Sequence, residues 1–320
     1  MMAAVGGCSS GAETGDSMDT AEGRHFSLIA DHIPQGVLLS AWTDGGEALM
    51  VGGQLGSSGI LARYDGERLC IEDEVADGAL WWIHGPRDGE WYAVGDGGRI
   101  VHETDGVRVR EDVDTSATLF GVYAVGEQVW AVGGNVATNT GEIWLRENGT
   151  WTLFAGDLPG LLFKTWEGWF VGDNQAYFLE GEQLVPYDIG GERLVTVRGR
   201  DAASDAWAVG SRNSAVVLHF EGEAWEPVEQ NLGQPLNGVW TAPGEGLYVA
   251  GNNGIAAIYE EEQWLQPAFP VTAEVLHAVW PYGDEALWVG GNLLTTSGAY
   301  HGTLVRYGEG QNALTPEPCP

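Results

Sequence analysis

The stretch Val129-Trp-Ala-Val-Gly133 is a short apolar run that ends in Val-Gly, and closely similar runs recur along the chain. The closing glycines lie at positions 52, 95, 133, 172, 210, 251 and 290. A repeat of about 40 residues with strand-like content is typical of a β-propeller, with one blade per repeat. The sequence therefore predicts an all-β protein, a seven-bladed β-propeller built from four-stranded antiparallel blades. The other six runs are Ala48–Gly52, Trp91–Gly95, Gly168–Gly172, Ala206–Gly210, Leu247–Gly251 (with Ala in place of Val) and Ala286–Gly290.

The apolar runs do not alternate with polar residues, which indicates strands buried on both faces, as in blades packed between two neighbours. The last repeat has no evident fourth strand, because the chain after Tyr307 reads Gly-Glu-Gly-Gln. The segment from His25 to Asp31 precedes the first repeat and has the composition of a strand. We expect this N-terminal strand to join the last blade and close the ring, so that the propeller spans residues 24–310.

The chain carries 46 acidic and 14 basic residues, a net charge of −32, and Lys164 is its one lysine. Such a surface repels phosphate backbones, so the composition excludes a nucleic-acid-binding protein. It also repels anionic lipid headgroups, so membrane contact is expected only through a lipid anchor. The scattered acidic residues favour a solubility adaptation, with attraction of cations or basic partners as the alternative. We expect a monomer.

The amino terminus contains Val5-Gly-Gly-Cys8, which is similar to the lipobox of bacterial lipoproteins. The resemblance implies that Cys8 carries a lipid and that the protein is an outer-membrane lipoprotein of the cell envelope or an extracellular protein. A basic start and an apolar h-region are missing, so either the true start lies upstream or the likeness is accidental. Residues 1–23 are interpreted as a truncated signal and flexible acidic tether, because Ser, Gly, Ala, Thr, Asp and Glu predominate. Residues 311–320 form a C-terminal tail.

Two further cysteines, Cys70 and Cys319, lie in the first repeat and in the tail. A ring places its first and last repeats side by side, so a disulfide between them is geometrically feasible in an exported protein. Two unpaired thiols are the alternative. Both interpretations stay open at the level of the sequence.

Gly238-Val-Trp240, Tyr248–Gly251 and Asn148-Gly-Thr-Trp151, together with the run at Val129, carry a family likeness. These motifs resemble the Val-Trp-Ala-Val-Gly propellers of secreted proteins and lipoproteins from myxobacteria and their relatives. The likeness covers about residues 25 to 310. It implies the fold but no activity, because fold-level analogy does not supply one.

The connections between the second and third strand of each blade share one face of the ring. Three of them are predicted to be longer than the rest, in repeats one, three and seven, and they are rich in hydroxyl and amide side chains. Such side chains beside an aromatic ring suit recognition of a glycan or peptide, although the same residues also simply make good loops. The candidate ligand-binding residues in these loops are Gln54, Ser57, Ser58, Asn135, Thr138, Asn139, Asn292, Thr295, Thr296, Tyr300 and His301.

Asp96, Asp173 and Asn252 follow the second strand of their blades at equivalent places and complete the set of candidate ligand-binding residues. They either ring the channel mouth, where their oxygens suit Ca²⁺, or cap the turns. No other cofactor and no metal motif is indicated. We therefore predict a non-catalytic binding propeller at the cell surface that recognises a glycan, peptide or protein. The alternatives are a hydrolase or lyase acting on an extracellular glycan, with Asp96 and Asp173 as acid and base, and an envelope-complex scaffold.

Overall fold

The computed structural model describes residues 23–43, 45–211, 213–241, 246–293, 300–310 and 313–320. These residues form seven sheets of four antiparallel strands, one of which gains a short parallel strand. The predicted seven-bladed β-propeller is thereby confirmed. The described part of the chain contains no helix with the length and hydropathy needed to cross a membrane.

The strands are numbered in chain order and the blades by repeat. Blade 1 contains β2 Val37–Thr43, β3 Ala48–Gln54, β4 Ser58–Tyr64 and β5 Leu69–Ala76. Blade 2 contains β6 Leu80–Arg87, β7 Glu90–Gly95, β8 Ile100–Thr104 and β9 Val107–Arg110. Blade 3 contains β10 Thr118–Val125, β11 Gln128–Asn135, β12 Thr140–Glu147 and β13 Thr150–Pro159. Blade 4 contains β14 Leu162–Trp166, β15 Trp169–Gly172, β16 Gln175–Glu180 and β17 Gln183–Tyr187.

Blade 5 contains β18 Leu194–Asp201, β19 Asp205–Gly210, β20 Val216–Phe220 and β21 Trp225–Pro227. Blade 6 contains β22 Leu236–Thr241, β23 Leu247–Gly251, β24 Ala256–Glu260 and β25 Gln263–Leu265. Blade 7 contains β26 Val275–Tyr282, β27 Glu285–Asn292, β28 His301–Gly308 and, from the other end of the chain, β1 His25–Ile33. Short 3₁₀ turns occur at Asp96–Gly98 and Asn252–Gly254, and β29 is Glu317–Pro318.

The glycine that closes each Val-Gly run is needed because the innermost strand passes very close to it. A Cβ on Gly52 would lie 1.8 Å from the carbonyl oxygen of Val37, and one on Gly133 would lie 2.0 Å from that of Thr118. No side chain fits at such a distance. The same approach, at 1.9–2.6 Å, occurs at Gly95, Gly172, Gly210, Gly251 and Gly290. The Val-Gly motif therefore reflects a close contact between the first and second strands that recurs in every blade.

Large aromatic side chains of the second strands fill the wedges between blades. Trp91, Trp169 and Trp288 are at most 2 % exposed. The ring of Trp169 in blade 4 lies 4.9 Å from those of Phe220 and Trp225 in blade 5, which joins the two blades through an aromatic cluster. Aromatic pairs of this kind add to the stabilisation that burial alone supplies.

The N-terminal strand closes the ring as predicted. β1 pairs antiparallel with β28, with His25 opposite Gly308 and Leu28 opposite Val305, so it is the outermost strand of blade 7. Phe26 packs on Trp288 and Tyr307. The strand extends to Ile33, two residues beyond the predicted end, because Ile33 is fully buried.

The C-terminal tail contacts both of the blades that meet where the ring closes, blade 7 and blade 1. Its strand β29 runs parallel to β5 of blade 1, and Cys319 forms a disulfide with Cys70. The backbone nitrogen of Leu314 donates a hydrogen bond to the carbonyl oxygen of Ile29 in β1. The tail thus connects the strand that closes blade 7 to the outer strand of blade 1.

Candidate functional site

Each innermost strand carries a β-bulge directly after a leucine that pairs with the closing glycine. In β2, for example, Leu38 pairs with Gly52 and Ser40 with Val51, so Leu39 is the extra residue. A bulge changes the direction in which a side chain points and locally bends the strand. All seven extra residues line one central cavity of about 940 Å³, which we call the funnel. These residues are Leu39, Trp81, Phe120, Phe163, Val195, Asn237 and His277.

The funnel opens on the face that carries the connections between second and third strands. Gly56, Asp96, Val136, Ser211 and Asn252 from five of those connections contribute to its lining. This is the face that the sequence selected as the binding face. The side chains that form its wall, however, come from the innermost strands.

The wall of the funnel is apolar over five adjacent blades and polar over two. Trp81, Phe120 and Phe163 in blades 2 to 4 form a continuous aromatic surface, with ring centroids 5.1 and 5.5 Å apart. Leu39 and Val195 extend this surface on either side. Asn237 and His277 in blades 6 and 7 supply the polar part. Ligand sites in proteins commonly combine a large apolar surface with a few polar groups in this way.

Lys164 lies below this ring of side chains, still within the lining of the funnel. Its ammonium group donates a 2.6 Å hydrogen bond to the carbonyl oxygen of Phe120 and lies 4.2 Å from the ring centre of Trp82. The residue is 7 % exposed. Burial, helped by the charge of Arg198, lowers the pKa of Lys164 to about 7. Desolvation disfavours the charged form of an amine, which explains the direction of this shift.

Arg198 of blade 5 reaches across the channel to other blades. Its guanidinium lies 5.5 Å from the ring centre of Tyr123 in blade 3 and 5.1 Å from that of Trp280 in blade 7. Burial lowers the pKa of Arg198 to about 10, so it stays charged at neutral pH. Within the described part of the chain, neither Arg198 nor Lys164 forms an ion pair with a carboxylate.

The polar part of the wall contains an unsatisfied group. Nε2 of His277 is buried and has no hydrogen-bond partner among the described residues. Burial, together with the charge of Lys164, lowers the pKa of His277 to about 4, so the ring is neutral at physiological pH. Asn237, by contrast, donates to the side chain of Asn252 and to the carbonyl oxygen of Leu276, both at 3.0 Å. His277 therefore lines the funnel with a neutral ring whose Nε2 is buried and unsatisfied.

The carboxylates predicted for the channel mouth form hydrogen bonds or ion pairs with other segments of the protein. Asp96 lines the funnel and accepts hydrogen bonds from the indole of Trp81 at 2.8 Å and from the backbone nitrogens of Ala79 and Gly56 at 3.2 and 3.3 Å. Asp173 is buried and lies 3.4 Å from Arg193. Both side chains thus contact segments outside the turns in which they lie.

The other sequence-derived candidates among the described residues are not part of the funnel lining. Asn135 accepts hydrogen bonds from the backbone nitrogens of Ala137 and Thr138, and thereby shapes its own loop. Gln54 donates to the carbonyl oxygen of Gln35. Ser57 and Ser58 belong to the tight β3–β4 turn, and Asn139 closes the β11–β12 turn with a positive φ. Asn292 and His301 pair across β27 and β28, next to Tyr300. Cys8, Thr295 and Thr296 lie outside the described residues.

The lengths of the connections differ from the expected pattern. In blade 1 the strands stay paired up to Gln54 and Ser58, so only three residues lie between them. The connection between β19 and β20 in blade 5 is longer, although the sequence did not single it out. The predicted lengths of these connections were counted from the closing glycines, but the strands continue past those glycines.

The residues that form the funnel wall were missed because a bulge has no residue preference of its own. A usable signal was nevertheless present, since each wall residue follows the leucine that faces a closing glycine. Leu119, for example, pairs with Gly133 and is followed by Phe120.

No protein-family model matches the sequence, and no curated protein is significantly similar to it. Solved structures with the same fold include YCF48 bound to D1 peptide, with a TM-score of 0.62 and 16% identity over 89% of this chain and 97% of that one. YCF48 from Cyanidioschyzon merolae matches with a TM-score of 0.64 and 14% identity over 88% and 98% of the two chains. The WD40 propeller domain of Doa1 matches with a TM-score of 0.64 and 11% identity over 89% and 96%. At these identities the similarity establishes the fold alone.

Proposed function

We propose that the protein is a non-catalytic binding module that takes a peptide segment of a partner protein into the funnel. One observation carries this proposal: a cavity of about 940 Å³ whose aromatic wall of Trp81, Phe120 and Phe163 faces the polar side chains of Asn237 and His277. Aromatic surfaces bind apolar side chains, while the polar side chains of the wall favour one orientation of the ligand. The structure of YCF48 bound to D1 peptide supports the peptide class, because a propeller of this kind accommodates one.

The charges below the wall further define the proposed ligand. Lys164 lines the funnel and is charged below its pKa of about 7, and the charge of Arg198 acts on it from the buried interior of a protein of net charge −32. A buried cation without a carboxylate partner favours an anionic group on the ligand, because that group would offset the cost of desolvation. The proposed peptide therefore combines apolar side chains with one acidic side chain or a free C-terminal carboxylate.

The proposal assigns Asp96 and Asp173 to structure and not to acid–base chemistry. Hydrolysis of a glycosidic bond by an acid and a base typically uses two carboxylates that face one substrate. Asp96 is occupied by Trp81, Ala79 and Gly56, and Asp173 lies against Arg193. These contacts favour binding over glycan hydrolysis or lysis.

We also propose that the propeller acts outside the cytoplasm, attached to the envelope through Cys8. The disulfide between Cys70 and Cys319 supports an oxidising compartment. Labelling of the expressed full-length chain with a radioactive fatty acid tests the anchor, with Cys8→Ser as the control. Incorporation that survives this substitution would refute it.

The experiment that tests the function screens the full chain against a random-peptide library and a glycan array, followed by titration of the best peptide. Val195 is half-buried in the funnel wall, so Val195→Trp fills the cavity. We expect this variant to lose at least tenfold in affinity. Val109→Trp, on the exposed outer strand β9, is the matched control and should bind like the wild type.

Equal affinity of Val195→Trp and the wild type would place the site elsewhere. Binding of glycans alone, lost in the same variant, would keep the funnel and overturn the peptide class. Circular dichroism and thermal unfolding of both variants establish that they are folded.

A further inference from the structure

The strand that closes the ring is interrupted near its end. β1 pairs in register with β28 up to Leu28, opposite Val305. The register shifts before Ala30, opposite Leu304, and again before Ile33, opposite Gly302, so Asp31 and His32 lie in the second bulge. His32 has a φ of 53°, a left-handed conformation that costs energy for a residue with a Cβ. Strained residues of this kind persist where the surrounding structure holds them, and they are frequent at binding sites.

The bulge brings together metal-binding side chains that are distant in sequence. The ring of His32 stacks on that of His301 at the start of β28, with centroids 4.6 Å apart and planes inclined by 16°. Nδ1 of His32 lies 3.1 Å from a carboxylate oxygen of Asp31. One donor atom from each of the three residues lies within 4.8 Å of the others.

These distances are close to those of a bound transition metal. Two donors that each lie about 2.0–2.2 Å from one ion are roughly 3–3.5 Å apart in a tetrahedral arrangement. The Asp31–His32 pair already has this spacing. His301 reaches it when the ring of His32, which is 74% exposed, turns out of its stack on His301 so that both lone pairs face one ion.

A further carboxylate is placed to orient His301. Oε1 of Glu274, in the segment that precedes β26, lies 3.1 Å from Nε2 of His301. This nitrogen is buried and does not yet make a hydrogen bond of good geometry. Histidines that bind metals usually donate their second ring nitrogen to a carboxylate, which fixes the ring and raises its basicity. Glu274 on Nε2 leaves Nδ1 of His301 for the ion.

We propose that Asp31, His32 and His301 bind a divalent transition-metal ion of the Zn²⁺ type, with Glu274 as a positioning residue. Two imidazoles and one carboxylate suit Zn²⁺ and related ions better than Ca²⁺ or Mg²⁺, which prefer oxygen ligands alone. Water completes the coordination. The ion connects β1 to β28 and, through Glu274, to the segment before β26, so it fastens the ring closure.

Asp31 also has a role without metal, since it accepts a 2.9 Å hydrogen bond from Thr303. A test must therefore measure the metal itself as well as stability. Untagged full chain, stripped with a chelator, is titrated calorimetrically with Zn²⁺ in 150 mM salt, and thermal unfolding is recorded with and without Zn²⁺. The salt suppresses loose attraction of cations to the acidic surface. Ca²⁺ and Mg²⁺ serve as the competing ions.

We expect one Zn²⁺ per chain and a melting temperature several degrees higher with Zn²⁺, because a ligand that binds only the folded state stabilises it. His32→Ala and His301→Ala should each lower the affinity at least tenfold and abolish the shift, and Glu274→Gln should lower it about tenfold. His25→Ala is the matched control, since His25 is an exposed histidine of the same strand. Equal Zn²⁺ binding in His32→Ala and the wild type, or displacement of Zn²⁺ by equimolar Ca²⁺, would overturn the proposal.

Discussion

Buried charged side chains are paired with opposite charges at the outer edge of the blades, but the buried cations around the central channel face aromatic rings instead. At the edge, Arg146 donates to both carboxylate oxygens of Glu111 at 2.7 and 2.9 Å, and Glu111 also accepts from Trp151 and lies against His102. Around the central channel, Lys164 in the funnel lining and the buried Arg198 face aromatic rings, and Lys164 also donates to a backbone carbonyl.

The difference indicates which region serves stability. Paired and hydrogen-bonded charges compensate each other, and removal of one partner leaves the other buried alone. A buried cation without a carboxylate costs free energy in the folded state, and such a cost persists mainly where function requires it. The edge is therefore built to hold the ring together, and the funnel to bind.

Deletion of residues 24–33 should have the largest effect, because it removes the outer strand of blade 7. The fully buried side chains of Ile29 and Ile33 and the half-buried Phe26 are lost together with the strand pairing. We expect a loss of about 5 kcal/mol or more in the free energy of unfolding. Urea denaturation followed by tryptophan fluorescence measures it. An unchanged transition would mean that the ring does not depend on its closing strand.

Arg146→Met should have the second-largest effect, and it tests the charged network at the outer edge of the blades. The substitution leaves the half-buried Glu111 without its guanidinium, so we expect a loss of about 2–3 kcal/mol. Arg87→Met is the control, because the Arg87–Glu90 pair is largely exposed on the arginine side and should contribute less than about 1 kcal/mol. Equal losses in the two variants would remove the distinction between a buried network and a surface pair.

Lys164→Met should have the opposite sign at pH 6. Met retains most of the aliphatic volume and removes the buried charge, so the free energy of unfolding should rise by about 1–3 kcal/mol. Urea denaturation beside the wild type measures the change. A clear loss of stability would show that the hydrogen bond to Phe120 and the contact with Trp82 outweigh desolvation.

The stabilisation by Lys164→Met should shrink as the pH rises. The pKa of Lys164 is lowered to about 7 in the folded protein, whereas an unfolded lysine titrates at about 10.4. Between these values the unfolded wild type binds more protons than the folded one, so the stability of the wild type rises with pH. The difference in melting temperature between variant and wild type should therefore be largest at pH 6 and small at pH 10. A difference that is constant with pH would contradict the lowered pKa.

The architecture was open to prediction from sequence, and the details of the site were not. The Val-Gly runs repeat because every innermost strand presses on the same glycine position, so the blades and the closing strand at His25 followed from spacing alone. Bulged wall residues such as Phe163 have no common chemistry, and their one signal is the preceding leucine that pairs with a closing glycine. The sequence instead favoured loop residues, among them Asn135 and Gln54, whose side chains shape their own turns.

The contacts across the ring closure could not be predicted from the sequence for a different reason. His32 and His301 belong to opposite ends of the chain, so no motif spacing relates them. Lys164 was visible as the one lysine, but its position beside Trp82 depends on how three neighbouring blades are arranged.

The role of the buried cation is measured by the affinity of Lys164→Met for the best library peptide at pH 6, where Lys164 of the wild type is charged. We expect a variant that is more stable than the wild type and binds the peptide at least tenfold more weakly. Unchanged affinity in a folded Lys164→Met variant would contradict the claim that the funnel and its buried cation form the binding site.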